Sequence, residues 1–245
     1  MKTTFYTALL LLFIGFSSCS SDDDNAQKQP ETHANLLTKI NDVTEGLVTT
    51  IAYDSSNKMI SFDRTANDFN PETHLTFTYD AAGLLSEMVA GTAITKYFYN
   101  AEGKLTKTEQ SNSGTIYSVH QFVYAGSKVT DNYNYAPTNQ GWKEIYTFEN
   151  GNVTQVESYS ATSAANPNGT YEGTFHRSNY DGKPAVKSSM PWQFQFPDVS
   201  ANNVGTSQYC TTCVSNFVYE YNADGYPTKR TENGTATVLY EYKRL

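Results

Sequence analysis

Aromatic residues alternate with polar residues along most of the chain, and short turn sequences interrupt this alternation at regular intervals. The clearest instance is KYFYNAEGKLT, in which Tyr97 and Tyr99 lie two positions apart. A period of two places such rings on one face of an extended strand. Aromatic and β-branched residues also suit the half-buried surface of a sheet. The pattern therefore predicts β-strands with one aromatic face and one polar face.

A turn sequence follows each aromatic pair. Residues 100–103 read NAEG, and the same spacing recurs in DAAG at 80–83 and NADG at 222–225. Asn or Asp at the first position and Gly at the fourth are typical of a type I turn followed by a residue with positive φ. Each repeat is therefore predicted to be one β-hairpin. Its near-copies are FTYDAAGLL, YEYNADGYPTK, YTFENGNVTQV and IAYDSSNKMI, with weaker copies in FVYAGSKV and RSNYDGKPAV.

The repetition predicts the fold class. An isolated hairpin is marginally stable in water, so successive hairpins have to pair edge to edge and bury their aromatic faces together. We expect residues 35–245 to form one all-β domain, an antiparallel meander whose single, strongly curved sheet makes a half-barrel or an open barrel. Residues 184–214 lack the turn sequence and carry Trp192, Phe194 and Phe196. We expect this insertion to pack against the sheet as a plug or cap.

The first residues have the layout of an export signal. Residues 1–18 begin with a basic Lys2 and continue with an apolar run that is too short to span a bilayer comfortably. Small residues then precede Cys19, an arrangement that resembles a bacterial lipobox, whose Cys is lipidated. The alternative is an ordinary secretory signal followed by an incidental Cys.

Residues 19–34 are predicted to be a polar tether. An acidic tract next to an acyl anchor stays solvated and keeps the folded part away from an anionic membrane. The order of Cys, Ser and Asp resembles the surface-export signal of Bacteroidota lipoproteins, which implies the outer face of the outer membrane. A lipoprotein that faces the periplasm is the alternative. The tract consists of Ser20, Ser21, Asp22, Asp23 and Asp24.

The repeat itself resembles a known family. Tyr followed by Asp or Asn, two residues and Gly is similar to the YD repeat of RHS-type proteins. With the lipobox, the acidic tether and the final YEYNADGYPTKRT, the chain resembles the DUF4595 class of Bacteroidota lipoproteins. That resemblance implies a porin-like β fold and assigns no functional residue, because its motifs are structural. The repeats are too few for the closed cocoon of long RHS proteins. A membrane pore is not expected, since the face opposite the rings carries Thr, Lys and Glu.

The net charge and the absence of known catalytic motifs argue against several classes of function. The 245 residues carry a net charge of −8, which argues against nucleic acid as a partner, because such binding relies on basic contacts to phosphates. The four histidines do not cluster, and no phosphate-binding loop, nucleophile elbow or calcium loop is present. We therefore expect no enzyme activity, no cofactor and no metal. A glycan-active hydrolase is an alternative that requires two carboxylates close together.

Two cysteines invite a redox or zinc interpretation. Cys210 and Cys213 form a CxxC motif, but neither a helix N-terminus in a βαβ unit nor a set of four zinc ligands is indicated. In an exported protein we expect them to form a local disulfide in the insertion.

Aromatic residues outside the repeat are the candidate binding residues. Trp142, Trp192, Tyr133 and Tyr135 present large rings that stack on sugars or apolar ligands at low entropic cost, and packing is the alternative for each. The sequence thus predicts a lipid-anchored, surface-exposed and non-catalytic binding module for a glycan, a peptide or an envelope protein. A structural accessory subunit of an envelope assembly is the alternative.

Overall fold

The computed structural model describes residues 35–138, 140–163 and 165–245. The predicted export signal, Cys19 and the acidic tract lie outside the described residues. The described chain forms sixteen antiparallel strands that close into one barrel. No helix in these ranges is long and apolar enough to cross a membrane. The strands are β1 (Asn35–Asp42), β2 (Leu47–Tyr53), β3 (Met59–Arg64), β4 (Thr73–Tyr79), β5 (Leu85–Ala90), β6 (Ala93–Tyr99), β7 (Leu105–Asn112), β8 (Thr115–Ala125), β9 (Lys128–Tyr135), β10 (Gln140–Glu149), β11 (Asn152–Thr162), β12 (Thr170–Ser178), β13 (Thr206–Gln208), β14 (Val214–Tyr221), β15 (Pro227–Glu232) and β16 (Ala236–Arg244).

The sheet closes through its first and last strands. Each strand pairs with its neighbours in sequence, and β1 also pairs with β16, where Ile40 lies opposite Tyr240. The all-β class and the antiparallel meander are therefore confirmed. The sheet curves further than a half-barrel, until its two edges meet. Closure removes the unpaired N–H and C=O groups that an open sheet would leave at both edges.

The two ends of the barrel differ. The turns that follow even-numbered strands lie at one end, where β1 also begins at Asn35. Residues 179–205, between β12 and β13, fold into the barrel from this end, so we call it the plug end. The turns that follow odd-numbered strands lie at the opposite end, which we call the mouth.

The repeated turns at the plug end have the predicted chemistry. The side-chain oxygen of Asn100 accepts the backbone N–H groups of Glu102 and Lys104, at 3.0 and 2.9 Å. Gly103 has a φ of 78°, a conformation in which a side chain would be strained. Asn or Asp at the first position thus stabilises the turn through its side-chain hydrogen bonds, and Gly adopts the positive φ with which the chain enters the next strand. Equivalent side-chain bonds are made by Asp54, Asp80 and Asn222.

Tyrosine hydroxyls link successive hairpins near the plug end. Tyr99 at the end of β6 donates its hydroxyl to the carbonyl oxygen of the fully buried Leu85, at 2.5 Å. This bond explains why the repeat uses Tyr, since a phenol hydroxyl in an apolar interior requires a partner. Phe148 ends the equivalent part of β10 and carries no hydroxyl. The same contact joins Tyr53 to Leu37, Tyr79 to Met59, Tyr124 to Leu105 and Tyr180 to Val153, and we call the set the hydroxyl ladder.

The insertion fills the lumen at this end, which confirms it as a plug. Phe194 packs edge-on against Phe62 and Phe77 of the wall, with ring centroids 5.6 and 5.2 Å apart. Phe196 packs against Phe122 on the other side at 5.1 Å, and Trp192 contacts Phe196 at 5.2 Å. The plug contains two short 3-10 helices, Val186–Ser189 and Trp192–Phe194; the second carries Trp192 and Phe194, and Phe196 follows it.

The structure differs from the expected bounds of the insertion. Residues 206–208 form the short strand β13, which pairs with both β12 and β14. Cys210 and Cys213 are joined by a disulfide, with Cα atoms 4.8 Å apart, in the turn between β13 and β14. The disulfide therefore closes a hairpin at the mouth and lies away from the plug. Three residues are too few to show the alternation from which the longer strands were predicted.

The outer wall of the barrel exposes polar residues on many strands, beside a few apolar ones such as Val123 and Val218. In β4 the inward Leu75 and Phe77 are buried, whereas the intervening Thr76 is exposed. Lys96 of β6 and Glu241 of β16 are likewise exposed on the outside. The aromatic face of the repeat thus forms the core, as its period of two predicts.

Candidate binding site in the barrel lumen

Rings on neighbouring strands form a continuous series from the plug to the mouth. Phe122 of β8 contacts Phe196 of the plug, and His120 lies 6.2 Å from Phe122 between ring centroids. His120 in turn lies 4.7 Å from Tyr133 of β9, which stacks on Trp142 of β10 at 3.7 Å with 22° between the ring planes. We call these five rings the aromatic track.

Strand register places the outer rings of the track side by side. Tyr133 lies directly opposite His120 on one side and Trp142 on the other. Gly141 allows this approach, because a Cβ atom there would lie 1.9 Å from the carbonyl oxygen of Tyr133. No sequence motif marks the glycine, since its role depends on a cross-strand contact.

The structure brings together part of the predicted candidate set. Tyr133 and Trp142 stack on each other, and 46% of the Trp142 surface stays exposed. Tyr135 follows at the end of β9 and is exposed at the mouth. Trp192 lies apart in the plug, where it touches Phe196 at the inner end of the track. The candidates therefore occupy both ends of one track.

Polar side chains accompany the track along the same strands. His120 Nδ1 lies 2.9 Å from Asp131 Oδ2, so the inward histidine has a partner, as expected for one in a core. Asp131 lies opposite Glu144 in the register of β9 and β10. Glu144 accepts hydrogen bonds from the hydroxyls of Tyr146, at 2.5 Å, and Ser158, at 3.5 Å. Burial, followed by the bond to Glu144, raises the pKa of Tyr146.

Sequence reasoning missed Asp131 and Glu144. The two carboxylates are neighbours only through strand pairing, and each sits in a locally unremarkable position. Their positions opposite each other make them the two carboxylates on which the hydrolase alternative can be tested. Within the described ranges, no group of three or more His, Cys, Asp or Glu side chains is arranged to hold a metal ion.

The mouth also carries the exposed aromatic residues of the described chain. Phe69 is 89% exposed and Tyr209 is 72% exposed, although both are large apolar side chains. Exposed apolar groups that cluster on one part of a surface mark interaction sites. All five exposed aromatic residues in the described ranges lie at this end: Phe69, Tyr135, Trp142, Tyr171 and Tyr209.

A cavity of about 510 Å³ lies on the other side of the lumen. Its wall consists of β12 to β16 and β1, and residues of the plug form its floor. Tyr209 at the mouth contacts Phe175 of the wall, with ring centroids 4.3 Å apart. The cavity also contains charged side chains, among them Arg177, Lys187 and Arg230. Its volume lies in the range typical of small-molecule sites.

The fold is similar to that of porin-like proteins of known structure. The crystal structure of a porin-like protein from Bacteroides uniformis matches with a TM-score of 0.52 and 12% identity, over 91% of this chain and 100% of that chain. A porin-like protein from Bacteroides vulgatus gives a TM-score of 0.47 and 14% identity, over 86% of this chain and 100% of that chain. No family model and no curated protein matches the chain. At such low identity the first match shows a shared barrel fold.

Proposed function

We propose that the protein is a lipid-anchored envelope protein whose barrel binds a glycan at its mouth without cleaving it. The aromatic track carries this proposal. Sugar rings have apolar faces that stack on aromatic rings, and hydroxyls that hydrogen-bond to carboxylates and imidazoles. Trp142 and Tyr133 offer the first kind of contact, and Asp131, Glu144 and His120 offer the second within the same lumen.

The direction of the barrel fits an external ligand. The chain enters the barrel at Asn35 on the plug end, so an anchor at Cys19 attaches to that end. Residues 19–34 can span at most roughly 55 Å when extended. The mouth is then the end farther from the point of attachment, where a polysaccharide outside the cell has access.

Two further observations favour a glycan over other roles. A peptide that binds by adding a strand requires a free sheet edge, and the pairing of β1 with β16 leaves only the short segments of β12 and β14 beyond the three-residue β13 unpaired among the described strands. A through-pore requires an open lumen, whereas the plug residues Phe194 and Phe196 pack against opposite parts of the wall. The outer wall also exposes polar and charged residues such as Thr76, Lys96 and Glu241, whereas a membrane-spanning barrel presents an apolar band to the lipid.

Binding without hydrolysis is supported by the contacts of the two carboxylates. Asp131 is held by His120, and Glu144 by Tyr146 and Ser158. A general acid or nucleophile needs access to the scissile bond, and these bonds direct both groups to protein partners. We therefore assign them to the support of the track, where the lone pairs that these bonds leave free accept hydrogen bonds from ligand hydroxyls.

A glycan array followed by calorimetric titration tests the binding. We expect Trp142→Ala and Tyr133→Ala to weaken the affinity for the best array ligand at least about tenfold, which corresponds to roughly 1.4 kcal/mol. Phe69→Ala is the matched control, because it removes an exposed ring at the mouth outside the track. If folded track variants bind as tightly as the wild type, or if Phe69→Ala loses as much, the track is not the site.

Chromatography of the bound oligosaccharide after prolonged incubation tests the absence of catalysis. We expect the oligosaccharide to be recovered intact. Shorter products that disappear with Glu144→Gln would establish the hydrolase alternative instead.

A further inference from the structure

The lumen cavity contains cations that lack an ionic partner. Arg177 forms a two-pronged ion pair with Asp198 of the plug. Lys187 in the floor and Arg230 in the wall form no ion pair with any described residue. Arg230 lies over the ring of Phe217 at 5.3 Å, and its Nε atom is buried without a hydrogen-bond partner among the described residues.

The carboxylates of the same cavity are already engaged. Asp42 accepts the backbone N–H groups of Thr44 and Glu45, at 3.1 and 3.0 Å, which fixes it in the turn after β1. Glu232 accepts a hydrogen bond from the hydroxyl of Ser215 at 2.8 Å. The lining therefore holds three cations and three carboxylates, and among the cations only Lys187 and Arg230 have no carboxylate of a described residue within ion-pair distance.

Leaving the half-buried Arg230 unpaired is costly, because a protein interior solvates a cation less well than bulk water does, whereas Lys187 is exposed. Desolvation lowers the pKa of Lys187; Asp198 opposes this shift, and Arg230 and Arg177 add to it. Lys187 thus lies near enough to both arginines to be repelled by them. Such an arrangement is explained if an anionic ligand completes it, since Arg and Lys are the side chains that bind carboxylates and phosphates.

We infer that the lumen cavity binds the carboxylate or phosphate group of an acidic sugar between Lys187 and Arg230. This inference rests on the proposed glycan-binding function and names the class of glycan. The remaining lining fits the ring of a sugar, because Trp192, Phe217 and Tyr219 provide aromatic surface beside the cations. The cavity is also larger than a bare anion requires. An acidic residue of the glycan occupies the cavity, while neutral residues extend along the track.

Calorimetric titration with three monosaccharides tests the inference on the folded wild-type protein. We expect sodium glucuronate or glucose 6-phosphate to bind at least about tenfold more tightly than glucose, and the tighter of the two identifies the anionic group. If neither binds more tightly than glucose, the inference is wrong. Inorganic phosphate that binds as tightly as glucose 6-phosphate would also overturn it, because the site would then recognise only an ion.

Substitution of the two cations separates binding from structure. We expect Lys187→Met and Arg230→Met each to abolish the preference for the acidic sugar and to leave the Tm unchanged or higher, because an unpaired charge is removed. Arg230→Lys should restore part of the preference. Lys96→Met, on the outer wall, is the control and should change neither quantity. A lower Tm in both Met variants with an unchanged preference would show a purely structural role and contradict the inference.

The same titrations distinguish this inference from the proposed function. Trp142→Ala should leave glucuronate binding unchanged, since Trp142 does not line the cavity. If the cavity variants do not change glucuronate binding while Trp142→Ala still removes oligosaccharide binding, the track remains the proposed binding site and the acidic-sugar site is rejected. The reverse result would leave the cavity as the only site.

Discussion

The plug end and the mouth of the barrel are formed by the same strands, yet they use aromatic residues in opposite ways. Near the plug end the rings are packed, and hydroxyls such as that of Tyr99 bond to buried carbonyl groups. At the mouth, Trp142 and Tyr209 remain exposed. The turns at the plug end follow the repeated sequence closely, whereas the turns at the mouth share no common sequence. The comparison indicates that packing is concentrated at one end, whereas the proposed binding site lies at the other.

Alkaline pH provides the largest test of this difference. Burial raises the pKa of Tyr53 to about 12, and it also raises the pKa of Tyr79, Tyr97 and Tyr99 above the ordinary value of 10.0. Above pH 10 the unfolded chain releases these protons while the folded barrel keeps them. The free energy of unfolding should therefore be constant below pH 10 and then fall, by up to about 1.4 kcal/mol per pH unit for each tyrosine.

Denaturant unfolding across this pH range measures the effect, and tyrosinate absorbance follows the ionisation. We expect the buried tyrosines to ionise only as the barrel unfolds. If all tyrosines of the folded protein ionise near pH 10, the rings near the plug end are not protected as described.

The next largest effect is expected from the plug. Phe194→Ala removes a ring that packs against Phe62 and Phe77, and it should lower the free energy of unfolding by about 3 kcal/mol. Phe69→Ala removes a ring at the mouth that is almost fully exposed, and it should change stability by less than about 0.5 kcal/mol. Equal losses in chemical denaturation would mean that the two ends do not differ in stability.

A smaller effect is expected where the two roles meet. Gly141→Ala places a Cβ atom against the carbonyl oxygen of Tyr133, so β9 and β10 have to move apart. We expect a loss of about 1–3 kcal/mol together with weaker oligosaccharide binding, because Trp142 is the next residue. Gly103→Ala is a suitable comparison, since a side chain there meets backbone strain but no neighbouring atom. It should lower stability and leave binding unchanged.

The smallest effect concerns one bond of the hydroxyl ladder. Tyr99→Phe removes the donor to the Leu85 carbonyl and should cost about 1 kcal/mol. Tyr209→Phe, at the mouth, should be neutral within about 0.5 kcal/mol. Thermal or chemical unfolding of both variants gives the comparison. If Tyr99→Phe is as stable as the wild type, the tyrosines of the repeat contribute to stability through packing alone.

The fold was largely predictable because its signals are local. Alternation within a strand and the Asn-to-Gly spacing of residues 100–103 both act over a few positions, and the structure confirms the hairpins they predict. The plug was predictable for a related reason, since three rings in a segment without turns have to be buried somewhere. The inward position of His120 also follows from its spacing to Phe122 and Tyr124.

The site was less predictable because it depends on register. Asp131 meets Glu144, and Gly141 meets Tyr133, only after β9 and β10 are aligned. Lys187 comes from the plug and Arg230 from β15, so their common cavity exists only in the closed barrel. Tyr133 and Trp142 are candidates from the sequence because they lie outside the repeat. The sequence does not predict that their rings stack on each other. Local patterns therefore predict the scaffold, and long-range pairing determines the chemistry.

The pairing of β1 with β16 makes the folding of the barrel depend on its most distant segments. Asn35 pairs with Arg244, so the first hairpin cannot satisfy its free edge until the last hairpin has formed. Contacts between residues this far apart in sequence slow folding, because chain entropy is lost before the contact is gained. During that interval both edges are open to pairing with other chains. The yield of correctly folded protein on refolding should therefore be sensitive to conditions that delay the final strand.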